Sequence, residues 1–104
     1  METFFNPRSV AVIGASNSPF NLGSTICRSM KEFSSWDGDV FAVNRKGGEV
    51  CGCPGYVSVT DIPQEVDLAV IITPAAVVCD FVGQCAAKGI KHVVIESSGF
   101  SEGG

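Results

Sequence analysis

Residues 9–16, with the sequence SVAVIGAS, constrain the fold of this chain more than any other segment. Ser9–Ile13 is a mostly apolar run without alternation, which is typical of a strand buried on both faces of a sheet. The run ends abruptly at Gly14, and small residues then lead to a helical pattern that begins near Leu22. Nucleotide-binding α/β domains begin in this way, with a buried strand, a glycine turn and a helix.

Strands and helices continue to alternate along the rest of the chain, which predicts βαβ units and a parallel sheet. After the first strand, the predicted elements are a helix through Leu22, Ile26, Met30 and Phe33, a strand over Val40–Val43, a short strand over Tyr56–Val59, a turn or a single helical turn at Asp61–Pro63, a strand over Asp67–Thr73, a helix through Val78, Phe81, Val82, Cys85 and Ala86 that stops at Gly89, and a strand over Lys91–Ile95. We therefore predict a Rossmann-like, three-layer α/β domain over residues 1–104 with strand order 3-2-1-4-5.

Composition excludes several classes of protein. The net charge of −4 disfavours nucleic acid as a partner, because such a protein needs a basic patch. No apolar stretch approaches the roughly 20 residues of a membrane span, and the N-terminus does not resemble a signal peptide. Five cysteines in no framework spacing indicate reduced thiols and a cytoplasmic location. Because the chain stops soon after the fifth strand, we expect it to be the N-terminal domain of a longer protein.

Candidate binding residues follow the strands. The carboxyl ends of parallel strands meet at one edge of a sheet, where ligands bind. Small residues, hydroxyls and two cations are predicted at this edge, and they suit a phosphorylated ligand: Gly14, Ala15, Ser16 and Asn17 after strand one, Asn44, Arg45, Lys46, Gly47 and Gly48 after strand two, Thr73, Pro74 and Ala75 after strand four, and Glu96, Ser97, Ser98 and Gly99 after strand five. Each segment alone is also compatible with an ordinary turn or a solvated loop.

The absence of NAD-binding features from the sequence indicates which kind of nucleotide is bound. The glycine after Gly14 is Gly23, so the G-x-G-x-x-G fingerprint of NAD sites is absent. NAD-binding domains also carry Asp or Glu after the second strand, whereas this chain has Asn44 followed by Arg45 and Lys46. Two cations suit an additional phosphate, such as the ribose phosphate of NADP or of coenzyme A. The missing fingerprint favours coenzyme A over NADP.

Five segments together resemble the coenzyme A-binding domain of the NDP-forming acyl-CoA synthetase family, which includes ADP-forming acetyl-CoA synthetase and the α subunit of succinyl-CoA synthetase. They are SVAVIGAS at 9–16, VNRKGGE at 43–49, SVTDIP at 58–63, VDLAVIITP at 66–74 and ESSGFSE at 96–102. They occur in the family's order and roughly its spacing. One departure is Arg45, which stands where the family usually has proline; it adds a cation and removes a restriction on the loop.

The resemblance implies a role for each segment. The loop of Gly14, Ala15, Ser16 and Asn17 would contact the coenzyme A phosphates, and Lys46 would contact a phosphate. The path of adenine and pantetheine would be lined by Thr73, Pro74 and Ala75, and the thiol end would lie near Ser98 and Gly99. Family members transfer a phosphoryl group through a histidine of a later domain, with an ATP-grasp domain or subunit as partner. ATP and ADP would thus be handled outside this chain.

Catalysis by this chain alone is not expected, because the sequence offers no nucleophile–base pair. His92 lies inside the fifth strand and does not match the family's active-site motif. Cys51 and Cys53 have no second ligand pair at zinc spacing, so no metal is expected. Two alternatives remain: a regulatory coenzyme A-binding module fused to an acetyltransferase domain, and an NADP-binding oxidoreductase domain.

Overall fold

The computed structural model describes residues 7–17, 21–32 and 38–96. Within these ranges the chain forms a five-stranded parallel sheet of order β3-β2-β1-β4-β5, so the predicted order 3-2-1-4-5 is confirmed. In chain order the elements are β1 at Ser9–Ile13, α1 at Leu22–Glu32, β2 at Asp39–Val43, β3 at Gly55–Tyr56, a 3-10 turn at Val59–Asp61, β4 at Leu68–Ile71, α2 at Ala75–Lys88 and β5 at His92–Ile95. No helix in the described ranges has the length and apolar character that a membrane span needs.

The central strand β1 is buried along its whole length, as its uninterrupted apolar sequence predicts. Its side chains alternate between the two faces of the sheet. Ala11 and Ile13 belong to the core under α2, whereas Val10 and Val12 belong to the core under α1. The two helices therefore cover opposite faces, which gives the three layers of a doubly wound domain.

Helix α2 buries a narrower stripe than the sequence pattern predicts. Cys85 is buried and Phe81 is partly buried, but Val82 and Ala86, which share the apolar helical pattern, are exposed. Polar side chains explain the rotation of the helix, since Gln84 accepts a hydrogen bond from a backbone N–H and Lys88 donates one to a backbone carbonyl. These bonds hold the helix face of Gln84 and Lys88 towards the segment around the 3-10 turn.

Several boundaries differ from the prediction. The short third strand covers Gly55–Tyr56 instead of 56–59, and the helical turn begins at Val59 instead of Asp61. Val59 is fully buried, and its N–H donates to Gln84 Oε1 at 2.9 Å, so this residue leaves the sheet to pack against α2. Strand β4 is shorter than predicted at both ends. Phe33, predicted to extend the buried face of α1, lies outside the described residues.

Gly14 ends β1 at the point where the chain order of the strands reverses. Its φ is +100°, a conformation that side chains disfavour. A Cβ at this position would lie 2.2 Å from the carbonyl oxygen of Ile72, which follows β4. The Gly14 N–H donates to the Val43 carbonyl at 2.8 Å. Backbone from three neighbouring strands therefore meets here without an intervening side chain.

We predict that Gly14→Ala lowers the free energy of unfolding by about 3 kcal/mol, because strained φ and a backbone collision add together. The matched control is Gly83→Ala, an exposed helical position with no atom within 4 Å of the added Cβ. Helix propensity raises the stability of that variant by roughly 0.5–1 kcal/mol. Urea denaturation measures both values; equal effects of the two substitutions would contradict the proposed constraint at Gly14.

Candidate functional site

A cleft of about 780 Å³ lies along the carboxyl edge of the sheet. Its size is within the usual range for small-molecule sites, roughly 300–1,000 Å³. The residues that line it are Gly14, Ser16, Asn17, Val43, Asn44, Arg45, Lys46, Gly48, Val50, Thr73, Pro74, Val77, Asp80, Phe81 and Gln84. Three loops and one face of α2 therefore surround a single space.

Nine of the sixteen candidate binding residues line this cleft: Gly14, Ser16, Asn17, Asn44, Arg45, Lys46, Gly48, Thr73 and Pro74. Ala15 is fully buried in the core that includes Cys27. A ligand contact from Ala15 therefore requires its backbone. Ala75 is exposed at the start of α2 but does not line the cleft. Ser98 and Gly99 lie outside the described residues.

The loop after β1 is held in place by Asn21, which immediately precedes α1. Asn21 Oδ1 accepts from the N–H of Ser24 at 2.8 Å, as an N-capping side chain does, and also from the N–H of Ser16 at 3.1 Å. Its Nδ2 group donates to the Gly14 carbonyl at 3.2 Å. One amide side chain thus joins the turn, the loop and the helix.

Internal hydrogen bonds already use N–H groups of the loop after β1 that could otherwise bind an anion. The N–H groups of Gly14 and Ser16 donate to the Val43 carbonyl and to Asn21 Oδ1, so both are used inside the protein. Asn17 Nδ2 donates to the Glu49 carbonyl at 2.9 Å, which connects this loop to the one after β2. Contacts to a phosphate from this loop therefore depend on its other backbone and side-chain groups.

The loop after β2 is organised by Asn44. Asn44 Oδ1 accepts from the N–H groups of Lys46 at 3.0 Å and Gly48 at 3.3 Å, and Nδ2 donates to the Gly48 carbonyl at 3.1 Å. The Gly47 N–H donates to the Asn44 carbonyl, closing the turn. The side chain of Asn44 thus restricts the conformation of the loop. Arg45 and Lys46 are left exposed at the tip of the turn, beside the cleft.

Thr73 lies at the other side of the cleft, after β4. Its hydroxyl oxygen is buried and has no hydrogen-bond partner among the described residues. A buried hydroxyl without a partner is unfavourable, so a ligand that bonds it gains from the contact. Pro74 follows as the N-cap of α2 with extended backbone, so the start of the helix borders the same space.

Sequence reasoning missed the wall of the cleft formed by α2. Val77, Asp80, Phe81 and Gln84 line the cleft at i, i+3, i+4 and i+7, the spacing of one helix face. This spacing, counted from the predicted site residues Thr73 and Pro74, was the signal in the sequence that could have found them.

The cysteines lie outside the cleft lining, and those in the core are neutral at pH 7. Burial, with a further contribution from the neighbouring Cys53, raises the pKa of Cys27 from 9.0 to about 12. Burial also raises the pKa of Cys53, whose thiol contacts the Cys27 carbonyl at 4.0 Å. None of the five cysteines forms a disulfide with another. Within the described ranges, no group of His, Cys, Asp and Glu side chains is arranged to hold a metal ion.

His92 lies at the edge of the sheet opposite the cleft. It begins β5 opposite Leu68, at the amino edge of the sheet, whereas the cleft lies at the carboxyl edge. Among the described lining residues there is neither histidine nor cysteine. The cleft thus offers binding groups, and no nucleophile–base pair is present in the part of its wall that the structure describes.

The residues present fit a large phosphorylated nucleotide. The cations at the tip of the second loop suit phosphate groups, the buried Thr73 hydroxyl can bond a polar group, and Val77 and Phe81 offer apolar surface. Fold and cleft together are those of a nucleotide-binding, doubly wound α/β domain, with the cleft at the topological switch point.

Comparison with known proteins narrows this class. The family described as CoA binding domain matches residues 8–103. The chain is 46% identical over 104 residues to the alpha subunit of ADP-forming acetate–CoA ligase II from Pyrococcus furiosus, which covers 100% of this chain and 22% of that subunit. It is 35% identical over 97 residues to ADP-forming 4-hydroxybutyrate–CoA ligase from Nitrosopumilus maritimus, covering 93% of this chain and 14% of the relative.

A solved structure agrees with these relatives. The apo form of dinucleotide forming acetyl-coenzyme A synthetase 1 from Ca. Korarchaeum cryptofilum superposes with a TM-score of 0.84 and 38% identity, over 96% of this chain and 22% of that one. This chain belongs to the coenzyme A-binding domain family, in the form found in ADP-forming acyl-CoA synthetases. It spans less than a quarter of the length of these relatives.

We predict that Asn21→Ala lowers the free energy of unfolding by about 2 kcal/mol, because the helix cap and the bonds to the first loop are lost together. Asn21→Asp is the matched variant: its carboxylate still accepts from Ser16 and Ser24, and only the donation to Gly14 disappears. Its loss should be clearly smaller in the same urea titration. An alanine variant as stable as the parent would show that the asparagine does not hold the loop.

Proposed function

We propose that this chain binds coenzyme A in the cleft at the carboxyl edge of the sheet and serves as the coenzyme A-holding part of an ADP-forming acyl-CoA ligase. The reaction of the whole protein would be acid plus coenzyme A plus ATP to acyl-CoA, ADP and phosphate, or the reverse. The observation that carries the proposal is the position of Arg45 and Lys46 opposite Thr73 across one nucleotide-sized cleft.

Each side of the cleft receives a part of the ligand in this proposal. Lys46 and Arg45 hold phosphate groups, with the loop of Gly14, Ala15, Ser16 and Asn17 beside them. Thr73 and Pro74 line the path of adenine and pantetheine, and Ala75 follows them just outside the cleft lining. The Thr73 hydroxyl, which has no partner among the described residues, is a hydrogen-bonding group for the ligand. Ser98 and Gly99, outside the described residues, are proposed to border the thiol end.

Relatives with different acid substrates support this division. The chain matches a ligase named for acetate and one named for 4-hydroxybutyrate over nearly its whole length. Those two reactions share coenzyme A and the adenine nucleotide, and they differ in the acid. Because the family that matches this chain is described as a CoA binding domain, we expect the chain to hold coenzyme A and to leave acid selection to other parts of the protein.

The role of this chain in the reaction is positional. Holding the thiol or thioester in a fixed place reduces the entropy that must be lost at the reacting centre. We assign the phosphoryl transfer to a histidine segment and an ATP-grasp domain or subunit outside this chain. The five free cysteines support a reducing, cytoplasmic location for the reaction.

Calorimetric titration of the chain with coenzyme A tests the assignment of the cleft. We predict that Lys46→Ala weakens coenzyme A binding about tenfold, the equivalent of about 1.4 kcal/mol, because a charge-assisted contact to phosphate is lost. Loss of the 3′-phosphate, in 3′-dephospho-coenzyme A, should weaken binding to the parent chain if that phosphate meets the cations.

The control is Lys91→Ala, which removes an exposed cation at the amino edge of the sheet, just before β5. It should leave the affinity unchanged. NADP and NAD are titrated beside coenzyme A. Tighter binding of NADP than of coenzyme A would overturn the proposal, as would equal effects of Lys46→Ala and Lys91→Ala.

The ligase role has its own test in an active ligase that contains this domain. We predict that Lys46→Ala raises KM for acyl-CoA several-fold and leaves KM for ADP within a factor of about two, because ADP is bound elsewhere in the protein. Steady-state kinetics in the direction of ATP synthesis measure both constants. A parallel rise of the two values would contradict the division of labour between the domains.

A further inference from the structure

Asp80 places a carboxylate in a cleft that otherwise favours an anionic ligand. The residue is exposed in the second turn of α2 and lines the cleft together with Val77 and Phe81. The cations Arg45 and Lys46 line the same space from the loop after β2. The cleft therefore has charges of both signs on different structural elements, and a ligand with several phosphates meets them unequally.

The carboxylate of Asp80 has no hydrogen-bond or ion-pair partner among the residues that the structure describes. Its neighbour on the same helix face, Gln84, already uses its Oε1 atom to accept from the Val59 N–H. Asp80 is thus a charged acceptor on this wall that remains available to a ligand. An ionised carboxylate only accepts hydrogen bonds, so it attracts N–H or O–H groups and repels phosphate.

We propose that Asp80 is a specificity-determining residue that accepts a hydrogen bond from an N–H group in the uncharged part of coenzyme A and thereby sets the direction in which the ligand lies in the cleft. This inference rests on the proposed function of the cleft. Coenzyme A carries such N–H groups in two places, the 6-amino group of adenine and the amides of pantetheine. Its phosphates lie towards Arg45 and Lys46, away from α2.

The direction in which affinity changes when Asp80 is removed distinguishes a hydrogen-bond acceptor from a carboxylate that only adds negative charge. A carboxylate that only contributes negative charge near a polyanion weakens binding, so its removal would strengthen binding. A carboxylate that accepts an N–H from the ligand strengthens binding, so its removal weakens it. Hydrogen bonds to charged groups are among the stronger ones in proteins, and we expect a loss of about tenfold or more.

The experiment is calorimetric titration of coenzyme A into the parent chain, Asp80→Ala and Asp80→Asn. Alanine should weaken binding about tenfold, and asparagine should weaken it less, because its amide oxygen still accepts a hydrogen bond. Asp39→Ala is the control: it removes an equal charge from an exposed position at the amino edge of the sheet. This variant should bind coenzyme A as the parent does.

Two fragments of the ligand identify the donor. Adenosine 3′,5′-bisphosphate contains the adenine amino group, and 4′-phosphopantetheine contains the amides. The loss caused by Asp80→Ala should reappear with one fragment and be absent with the other. Unchanged or tighter binding of coenzyme A by Asp80→Ala overturns the inference, and so does a loss that appears with neither fragment.

The parent titration keeps the two proposals distinguishable. If the parent chain binds coenzyme A and Lys46→Ala weakens it, the cleft assignment stands whatever Asp80 does. If the parent chain does not bind coenzyme A, both the cleft assignment and the role of Asp80 are overturned. Circular dichroism of Asp80→Ala should match that of the parent, because the residue is exposed and alanine favours helix.

Discussion

The close approach of backbone at Gly14 is the constraint on which the cleft depends. The Gly14 N–H bonds to the end of β2, and its Cα faces the carbonyl oxygen of Ile72 at the end of β4 so closely that no Cβ fits. From β1 the sheet continues in opposite directions to β2 and to β4, with α1 and α2 on opposite faces. The glycine therefore fixes the floor of the space that the two connections leave between them.

Two asparagines hold the loops that border this floor of the cleft. Asn21 joins the first loop to the start of α1, and Asn44 closes the turn that presents Arg45 and Lys46. Both use the amide's ability to accept and donate at once, which a carboxylate lacks. In an NAD-binding domain the residue after the second strand is an acid that holds ribose. Here the corresponding Asn44 uses its side chain within the loop, and the two cations that follow it line the cleft.

The sequence was sufficient for the sheet order and for most of the residues that meet at its carboxyl edge, because both follow from the apolar runs and the parallel connection rule. The extent of the α2 stripe was not predictable from apolar spacing alone. Val82 and Ala86 fit the helical pattern but are exposed, since the hydrogen bonds of Gln84 and Lys88 determine which face turns inward. Asp80 was missed for a related reason. A charged residue in a helical pattern is normally predicted to face solvent, and only the fold shows that a cleft lies beside it.

A net charge of −4 is compatible with the binding of a polyanion in the cleft, because electrostatic interactions in water are local. At physiological ionic strength charges are screened over about 8 Å, so a ligand in the cleft responds to Arg45, Lys46 and Asp80 more than to the remaining surface. A long nucleic acid needs many phosphate contacts along an extended basic surface, whereas coenzyme A needs a few at one point. Net charge thus argues against the first ligand without bearing on the second. The positions of positive and negative side chains within the cleft then determine the orientation of the ligand. A net charge carries no information about those positions.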